Sequence, residues 1–428
     1  MRGMRLKIKN LAVIKDADIQ FDGITVIAGE NNTGKSTVGK VLFALFHSFY
    51  QMEEEVQKRR WVAIAHRVAL LINDVDESPD GTFLFGSIRH RLSRYLYESF
   101  AGKDSIDEET CLSKIQFFFH QHHYVDEKVF LSLRNEIQQV VHKIYSYSDQ
   151  EIQNMILTNA FKKIFFEQSN SLIHDVSAEV LLQVKAKNIA VKVLAEKCVE
   201  SSSMIRLQHD ATYIENPFIM DMLDNRVAFS KESLMTSDLK NKLDRQRHGI
   251  DTISQRIREE YLHDVVACMQ RAICGSFVEK GRILSFHQEG IGGDILVKNL
   301  STGVKAFAIL KRLLELYNLN EQDVLILDEP EIHLHPEWQL VYAELIVLLQ
   351  KTFNLTILLT THSPYFLEAI EVFSEMHGVK DKTKYYLAHM QGQEATFHDV
   401  TDDTSKIYQL LAAPFDKLDE LRREKGGC

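Results

Sequence analysis

The sequence has few prolines, no low-complexity tract and no apolar run long enough to cross a membrane. Six prolines among 428 residues give little room for a long flexible linker. The longest apolar runs fall far short of the roughly 20 residues that a bilayer requires, and the N-terminal residues do not resemble a signal peptide. We therefore expect a globular, cytoplasmic protein with no membrane partner.

Cysteine spacings typical of zinc or redox sites are also missing. Only two of the five cysteines are close in sequence, and they are six positions apart. The pattern favours reduced thiols without a shared function, as in most cytosolic proteins. The cysteines are Cys111, Cys198, Cys268, Cys274 and Cys428.

An excess of positive charge is absent as well. The net charge is -10 and the isoelectric point is about 6.0, so the chain as a whole is no electrostatic match for nucleic acid. Hydrophobic residues (45%) and charged residues (26%) have the balance of a globular protein with two or three domains. One stretch is locally basic, and both a nucleic-acid or partner contact and a solvated helix face remain open for it. Its basic residues are Lys240, Lys242, Arg245, Arg247, Arg256 and Arg258, against the acids Asp244 and Asp251.

A phosphate-binding loop follows the apolar stretch 24–28. Residues 29–37 read GENNTGKST, which fits the pattern G-x-x-x-x-G-K-[ST], and a helix-like stretch follows. Glycines let successive N–H groups point at one anion, and the helix N-terminus adds positive potential. Lys35 is expected to reach the β- and γ-phosphates of a nucleotide, and the Ser36 hydroxyl to ligate Mg²⁺. The predicted nucleotide-binding residues here are Gly29, Asn31, Asn32, Thr33, Gly34, Lys35, Ser36 and Thr37.

Two acids follow a second apolar run. Residues 324–327 are all apolar and lead directly into Asp328 and Glu329. Such a run is typical of a strand buried on both faces of a parallel sheet, whose carboxyl end is where α/β proteins bind ligands. One acid there can hold a metal and the other can act on a water molecule.

The middle of the chain is predicted to be a large helical insertion. Residues 51–279 show apolar residues at three- and four-residue spacing and few turn signals. We therefore divide the chain into an N-terminal part of an ATPase head (1–50), the insertion (51–279) and a C-terminal part of the head (280–428). His120, His122 and His123 within the insertion form either a metal site or the solvent-exposed side of an amphipathic helix.

Strands are predicted to return near residue 282. The alternation on both sides of residues 290–293 indicates a hairpin. Residues 300–305 read LSTGVK and open an apolar-periodic helix at 306–317, so Ser301 and Gly303 mark a second anion site or an ordinary helix cap. A further buried strand, 355–359, ends close to His362, where a group that senses the terminal phosphate would lie.

These motifs, in this order, resemble those of the ABC-type ATPase head. The predicted fold class is thus an α/β P-loop NTPase head of the ABC type with a large, mostly α-helical insertion. DEPEIHLHPEW followed by TTHSPYFL is similar to the overcoming-lysogenisation-defect (OLD) group, to Septu- and PARIS-type antiphage ATPases of the AAA_21 kind and, more distantly, to RecF. The resemblance covers residues 1–50 and 280–370.

The resemblance implies a role for each motif residue. Lys35, Glu329 and His362 would be catalytic, with Glu329 polarising the attacking water and His362 contacting the γ-phosphate. Asp328 would hold Mg²⁺ through its water shell. Ser301 and Gly303 would contact the ATP of a second subunit, so that two heads stack head-to-tail as a homodimer or in a higher oligomer.

The sequence departs from the family pattern in three places. The signature loop has Thr302 and Val304 where transporters have Gly and Gln, and the glutamine of the Q-loop is placed only by guess at Gln208. OLD nucleases continue into a Toprim domain, whereas this chain offers only Asp402 and Asp403 after His362, in a stretch typical of a solvated turn.

The histidines that flank Leu334 have two interpretations. His333 and His335 lie just past the acids and suggest a metal site. The resemblance instead implies a turn at the dimer interface, where an ABC head keeps its D-loop.

The function predicted from these features is that of a Mg²⁺- and ATP-dependent clamp or scaffold in an antiphage system. A separately encoded effector, a nuclease or a toxin, would be its partner. The alternatives are a RecF-like repair ATPase that binds DNA directly and a binding module with an inert nucleotide site. Loss of salt-dependent DNA binding on neutralising the basic stretch would distinguish the first alternative.

Overall fold

A computed structural model describes most of the chain. The described residues are 3–76, 85–100, 103, 106–121, 127–171, 173–202, 205–223, 232–245, 256, 258, 260–280, 283–288, 290 and 292–426. They form two compact units, which are described separately. The sheet unit comprises Met1–Tyr50, Leu157–Ser202 and Leu207–Cys428, and the helical unit comprises Gln51–Ile156 and Ser203–Arg206.

The described strands of the sheet unit are β1 Met4–Leu11, β2 Ile14–Phe21, β3 Ile24–Gly29, β4 Ala178–Val184, β5 Lys187–Leu194, β6 Lys197–Ser201, β7 Ala211–Ile214, β8 Gly275–Lys280, β9 Ile283–Gln288, β10 Asp294–Leu296, β11 Val324–Asp328, β12 Thr356–Thr361, β13 Thr383–Gln391 and β14 Glu394–Asp399. They form an 11-stranded mixed sheet with the order β6-β5-β4-β1-β2-β14-β13-β3-β12-β11-β7, and a three-stranded sheet with the order β10-β9-β8. Strands β13, β3, β12, β11 and β7 are parallel neighbours, so their carboxyl ends share one edge.

Helices cover the parallel strands and build the helical unit. In the described ranges they include α1 Lys35–Phe49, α2 Met52–Asp76, α3 Phe85–Phe100, α4 Glu108–Gln121, α5 Glu127–Tyr145, α6 Asp149–Phe165, α7 Leu234–Asp244, α8 His263–Gln270, α9 Thr302–Glu315, α10 Pro336–Phe353, α11 Pro364–Met376 and α12 Ser405–Gly426. None of the helices in these ranges combines the length and the apolar character that crossing a bilayer requires.

The apolar runs of the sequence form the buried centre of the large sheet. Every residue of β3, β11 and β12 is buried, as predicted from their uninterrupted apolar character. The core continues into α9 and α10, where the Phe307 ring meets the Tyr342 ring edge-on at 5.0 Å between centroids. The fold is therefore a mixed α/β P-loop ATPase fold, which confirms the predicted fold class at that level.

The predicted hairpin after residue 282 is confirmed. Strands β9 and β10 are antiparallel, with Ile295 opposite Phe286. The hairpin closes the three-stranded sheet together with β8.

The helical unit has its own core. Helices α2 to α5 pack apolar side chains such as Ile64, Leu92 and Ile137 together. The first part of α6 belongs to the same unit. Arg60 is buried within this unit and forms an ion pair with Asp149. Its guanidinium also donates to the Ile144 and Tyr147 carbonyls at 3.3 and 3.0 Å, so the charge is well paired.

The prediction that residues 51–279 are one helical insertion is wrong in its extent. Strands β4 to β7 lie within that range and belong to the large sheet. The helical unit ends at residue 156, apart from the short piece 203–206, and the remainder up to residue 279 belongs to the sheet unit.

The turns between these strands explain the error. The hairpins that join β4, β5 and β6 use Lys185, Ala195 and Glu196, which all have positive φ angles (55°, 48° and 59°). Tight hairpins of this kind usually contain Asn or Gly, which tolerate that backbone region. Because neither residue is present, the stretch lacks turn signals and resembles a continuous helix.

Candidate active site

The phosphate loop connects β3 to α1, as predicted, and its path requires glycine at two positions. A Cβ atom on Gly29 would lie 2.3 Å from the Ala388 carbonyl oxygen. Gly34 precedes the first turn of α1 with φ at 77°, a left-handed conformation that disfavours other residues. Its Cβ would also lie only 3.0 Å from the Ile14 side chain.

The remaining residues of the loop divide between its tip and its base. Asn31 and Asn32 are exposed at the tip, whereas Thr33 is buried and donates its hydroxyl to the Glu30 carbonyl at 2.8 Å. Thr37 is half-buried in the first turn of α1. The tip is therefore open to a ligand, and the base is held by the chain itself.

Lys35 lies folded over the loop. Its side chain is 4% exposed, and Nζ donates to the Gly29 and Glu30 carbonyls at 3.0 and 2.7 Å. Burial lowers the pKa of Lys35, and the nearby carboxylates of Glu329 and Asp328 oppose that change. The ammonium group is thus held at the loop by acceptors that a phosphate can replace.

Three hydroxyl groups surround the Asp328 carboxylate at the end of β11. Ser36 Oγ and Thr360 Oγ1 donate to Oδ1 at 2.9 and 2.5 Å, and Tyr213 Oη donates to Oδ2 at 2.8 Å. Burial, with the Asp328 charge, raises the pKa of Tyr213 well above its usual value, so this phenol remains a donor. The carboxylate is therefore held in one orientation.

The pair formed by Ser36 and Asp328 fits Mg²⁺. Ser36 Oγ donates to Asp328 Oδ1 at 2.9 Å, so a hydroxyl that can ligate Mg²⁺ lies beside a carboxylate that can hold the ion through its water shell. Mg²⁺ usually keeps several waters and takes only one or two protein ligands, so these two side chains are sufficient.

Glu329 has an unusual backbone conformation. Its φ angle is 48°, which is rare for a residue with a side chain, and its N–H donates to Thr360 Oγ1 at 3.0 Å. This conformation places its Oε1 3.4 Å from Nδ1 of His362, at the end of the neighbouring strand β12. The two residues predicted to act on water and on the terminal phosphate are thus side by side.

Strand β7 brings residues that the sequence did not assign to the same edge. It runs parallel to β11, and its carboxyl end leads into Glu215 and Asn216. Asn216 caps a 3-10 helix, Pro217–Met222, by accepting from the Phe218 N–H at 2.9 Å. The guessed Q-loop residue Gln208 precedes β7 and is exposed at the opposite end of that strand, so it does not lie at the edge that carries the acids.

A cavity of about 560 Å³ lies beside the acids at this edge. Its lining includes the acids Glu215, Asp328 and Glu329 and apolar residues such as Ile219 and Leu239. Ser36 also lines the cavity, so the proposed metal position lies at its wall.

The predicted second anion site is a helix N-terminus that does not line this cavity. Ser301 is exposed and caps α9, accepting from the Val304 N–H at 3.4 Å, and neither Ser301 nor Gly303 lines the cavity. Gly303 is needed because a Cβ there would lie 3.1 Å from the Trp338 ring. The loop is thus packed against the residues that follow the acids.

The residues after Glu329 form a turn that leads into α10. His333 and His335 are both exposed there, and no group of three or more potential metal ligands occurs in the described ranges. The turn interpretation agrees with this geometry. Asp402 and Asp403 are also exposed in a turn, as predicted.

The structure describes only one of the three histidines for which a metal site or an amphipathic helix was predicted. His120 is exposed on α4, while Phe118 on the same helix is buried, which fits the amphipathic interpretation. His122 and His123 lie outside the described residues.

The basic stretch does not form a continuous exposed patch. Lys242 is buried between Asp210 and Asp238, each 2.9 Å from Nζ, and Lys240 lies 3.6 Å from Glu232. Arg258 donates to the Leu319 carbonyl at 2.7 Å. These internal contacts take those residues out of the predicted nucleic-acid surface.

Two members of the stretch are exposed, and two lie outside the described residues. Arg245 and Arg256 face solvent, whereas Arg247 and Asp251 fall outside the described ranges.

Comparison with known families gives one extended match. The model of the family described as "AAA_15: AAA ATPase domain" matches residues 1–367, which is most of the chain and includes the phosphate loop, both acids and His362. The chain belongs to this AAA ATPase domain family. This AAA_15 ATPase thus carries the residues described above within the region that defines the family.

Individual proteins similar to this AAA_15 ATPase include a retron protein and SMC head domains. The "Retron Vc95 probable ATPase" of Vibrio cholerae serotype O1 biovar El Tor is 34% identical over 141 residues, which is 30% of this chain and only 26% of that relative. Among solved structures, the SMC head domain from Thermotoga maritima has a TM-score of 0.40 with 14% identity, covering 94% of this chain and 99% of that chain. An Smc head domain from Pyrococcus furiosus has a TM-score of 0.35 with 12% identity, covering 98% of each chain. Family membership rests on the sequence match.

Sequence reasoning missed the residues that orient the acids of this AAA_15 ATPase. Tyr213 and Thr360 both contact Asp328, and Glu331 contacts Thr361. These residues share a position in the fold: each lies at or just past the carboxyl end of a parallel strand, or in the loop after the acids. Only strand order, which the sequence does not state, brings them together.

Proposed function

We propose that this AAA_15 ATPase binds ATP with Mg²⁺ at the carboxyl edge of β3, β11 and β12 and hydrolyses it to ADP and phosphate. The observation that carries the proposal is that two pairs of side chains lie close together at that edge. Ser36 and Asp328 form an oxygen pair at 2.9 Å, and Glu329 and His362 form a second pair at 3.4 Å.

Lys35 is the residue that binds the phosphates. Among the described residues, its ammonium group donates hydrogen bonds to two neutral carbonyls. The β- and γ-phosphate oxygens are charged acceptors and make stronger hydrogen bonds, so Lys35 exchanges the carbonyls for them when ATP binds. Bound Mg²⁺, held by Ser36 and Asp328, would neutralise phosphate charge.

Glu329 and His362 act directly in the hydrolysis step. Glu329 is 25% exposed at its side chain and accepts a hydrogen bond from the attacking water, which orients the water towards the γ-phosphate. His362 donates to a γ-phosphate oxygen, where negative charge is concentrated. Asp328 stays in place because its carboxylate is already held by three hydroxyls.

We further propose that two copies close over two ATP molecules. Ser301 and Gly303 would then contact the ATP of the second copy, since they are outside the cavity of their own chain. Large apolar side chains are exposed near this edge: Ile332 is 53% exposed and Tyr365 is 70% exposed. Apolar side chains of this size are typical of the buried centre of an interface. The charged nucleotide supplies contacts to both chains that the empty interface lacks.

The cellular role we propose is that of an ATP-gated scaffold in an antiphage system that controls a separate nuclease or toxin. The motif resemblance to OLD-like and antiphage ATPases supports this role. A second support is the partial match to a protein named as a probable retron ATPase. The internal contacts of Lys242 and Arg258 weaken the case for a chain that binds DNA directly.

The experiment that tests the proposal is Glu329→Gln. We expect the variant to keep ATP affinity but to slow hydrolysis by at least about 100-fold, because the amide no longer accepts a proton or polarises water. The closed dimer should accumulate with ATP and Mg²⁺, as measured by light scattering after size exclusion. Glu375→Gln, at a carboxylate that is 69% exposed, is the matched control.

Wild-type turnover in Glu329→Gln would refute the mechanism. Slow turnover without ATP-dependent dimerisation would refute the clamp and leave the ATPase assignment standing.

A further inference from the structure

Glu331 is a carboxylate buried two positions beyond Glu329. It is 3% exposed, and no ion pair with it occurs among the described residues. Burial raises the pKa of its carboxyl group, and hydrogen bonding from Thr361 opposes this change. Retaining an acid at such a position costs folding free energy. A functional reason is therefore expected.

The contacts of Glu331 lead to His362. Its Oε1 accepts from the Thr361 hydroxyl at 2.5 Å and from the His362 backbone N–H at 3.3 Å. The Thr361 hydroxyl in turn accepts from the Ser363 N–H at 3.0 Å. One carboxylate oxygen thus fixes the backbone on both sides of His362.

The two threonines at the end of β12 serve different groups. Thr360 contacts Asp328 and the Glu329 N–H, whereas Thr361 contacts Glu331 and the Ser363 N–H. Successive side chains of a strand point in opposite directions, which explains the division. The segment 328–331 is therefore hydrogen-bonded to β12 at two points. Only the contact between Glu331 and Thr361 supports His362.

We propose that Glu331 is a positioning residue that, through the Thr361 hydroxyl and the His362 N–H, sets the distance between His362 and Glu329. This inference rests on the proposed function. Side chains that act together on one phosphate must be held within fractions of an ångström, and a displacement of about 1 Å can cost about 100-fold in rate. Within the described ranges, the hydrogen bonds of Glu331 go to Thr361 and His362 and not to the nucleotide-binding loop or to Asp328.

The test compares variants that remove this link with variants that keep it. Glu331→Ala and Thr361→Val remove the acceptor and the donor, whereas Glu331→Gln keeps an acceptor oxygen and Thr361→Ser keeps the hydroxyl. We expect the first two to lower kcat by about 10- to 100-fold, with ATP dissociation constants within about twofold of wild type. We expect the second two to restore kcat to within about threefold of wild type. The double variant Glu331→Ala/Thr361→Val should be no slower than the slower single variant.

Thr383→Val is the matched control. Thr383 is a buried threonine whose hydroxyl donates to Ser374 Oγ and to the Val379 carbonyl, remote from the acids in its contacts. It should retain wild-type kcat. Thermal unfolding of every variant separates lost positioning from lost folding, and kinetics are compared only for variants that remain folded at the assay temperature.

Three results would overturn the inference: wild-type kcat in folded Glu331→Ala and Thr361→Val, multiplicative effects in the double variant, or a rise in the ATP dissociation constant that matches the loss of kcat. His362→Ala and Glu329→Gln are measured in parallel. If these two retain wild-type hydrolysis, the proposed function has failed; if they are impaired while the Glu331 and Thr361 variants are not, only this inference has failed.

Discussion

At the scale of single residues, the arrangement around Asp328 explains how a metal site can be ready before the metal binds. The carboxylate accepts hydrogen bonds from three hydroxyl groups, and one of them, from Ser36, is the proposed Mg²⁺ ligand. Groups that orient a ligand in this way often change metal affinity by about 10- to 100-fold when removed. Tyr213 is the clearest case because its contact is to the oxygen that Ser36 does not use.

We predict that Tyr213→Phe raises the Mg²⁺ concentration needed for half-maximal hydrolysis by about 10-fold, because Asp328 loses its donor at Oδ2. The measurement is a Mg²⁺ titration of phosphate release at saturating ATP. Tyr342→Phe is the control: Tyr342 is equally buried but packs against Phe307 in the core. An unchanged Mg²⁺ midpoint in Tyr213→Phe would show that this phenol does not orient Asp328.

The residues that the sequence placed at this site are those in contiguous motifs. Lys35 and Ser36 follow one pattern, and Asp328 and Glu329 follow another, so each was placed without knowledge of the fold. Tyr213 could not be found in this way, since its hydrogen bond to Asp328 spans 115 positions and depends on β7 lying beside β11. Glu331 could be seen in the motif, but its burial and its link to His362 could not.

At the scale of elements, the long apolar runs were predictable and the hairpins were not. Strands β3, β11 and β12 each contain a run of residues that is interrupted at most by threonine, and burial on both faces of a parallel sheet suits such runs. Strands β4 and β5 alternate, with Val180, Leu182 and Val191 inward, yet their turns contain none of the residues that usually mark turns. The stretch therefore resembled the helices before it.

We predict that Ala195→Gly stabilises the sheet unit by about 0.5–1 kcal/mol. Ala195 has a φ angle of 48°, and glycine removes the steric penalty of that conformation. The measurement is chemical denaturation followed by circular dichroism. Ala190→Gly, on the exposed side of β5, is the matched control and should destabilise by a similar amount, since glycine weakens a strand. Destabilisation by both changes would indicate that the turn carries no strain.

At the scale of the whole molecule, the proposed dimer makes each ATP site a product of two chains. Lys35 would come from one copy and Ser301 from the other. A defect in one of them can then be complemented by a copy that is defective in the other. This property separates a shared site from two independent sites.

We predict that Lys35→Ala and Ser301→Arg are each inactive alone and that an equimolar mixture recovers up to about a quarter of wild-type hydrolysis. Half of the dimers in such a mixture are mixed, and one of their two sites has both residues intact. Phosphate release measured over a range of mixing ratios checks the prediction. Lys35→Ala mixed with Lys35→Ala/Ser301→Arg should stay inactive, and recovery in that control or none in the first mixture would refute a shared site.

The position of β3 in the sheet also has a consequence for the newly made chain. Its two hydrogen-bonded neighbours, β12 and β13, are translated more than three hundred residues after it. Until the ribosome has passed Gln391, β3 carries an open edge and the phosphate loop lacks the Ala388 carbonyl that packs against Gly29. The first element of the nucleotide site to be synthesised is therefore among the last to be completed, and a chain released early cannot hold ATP.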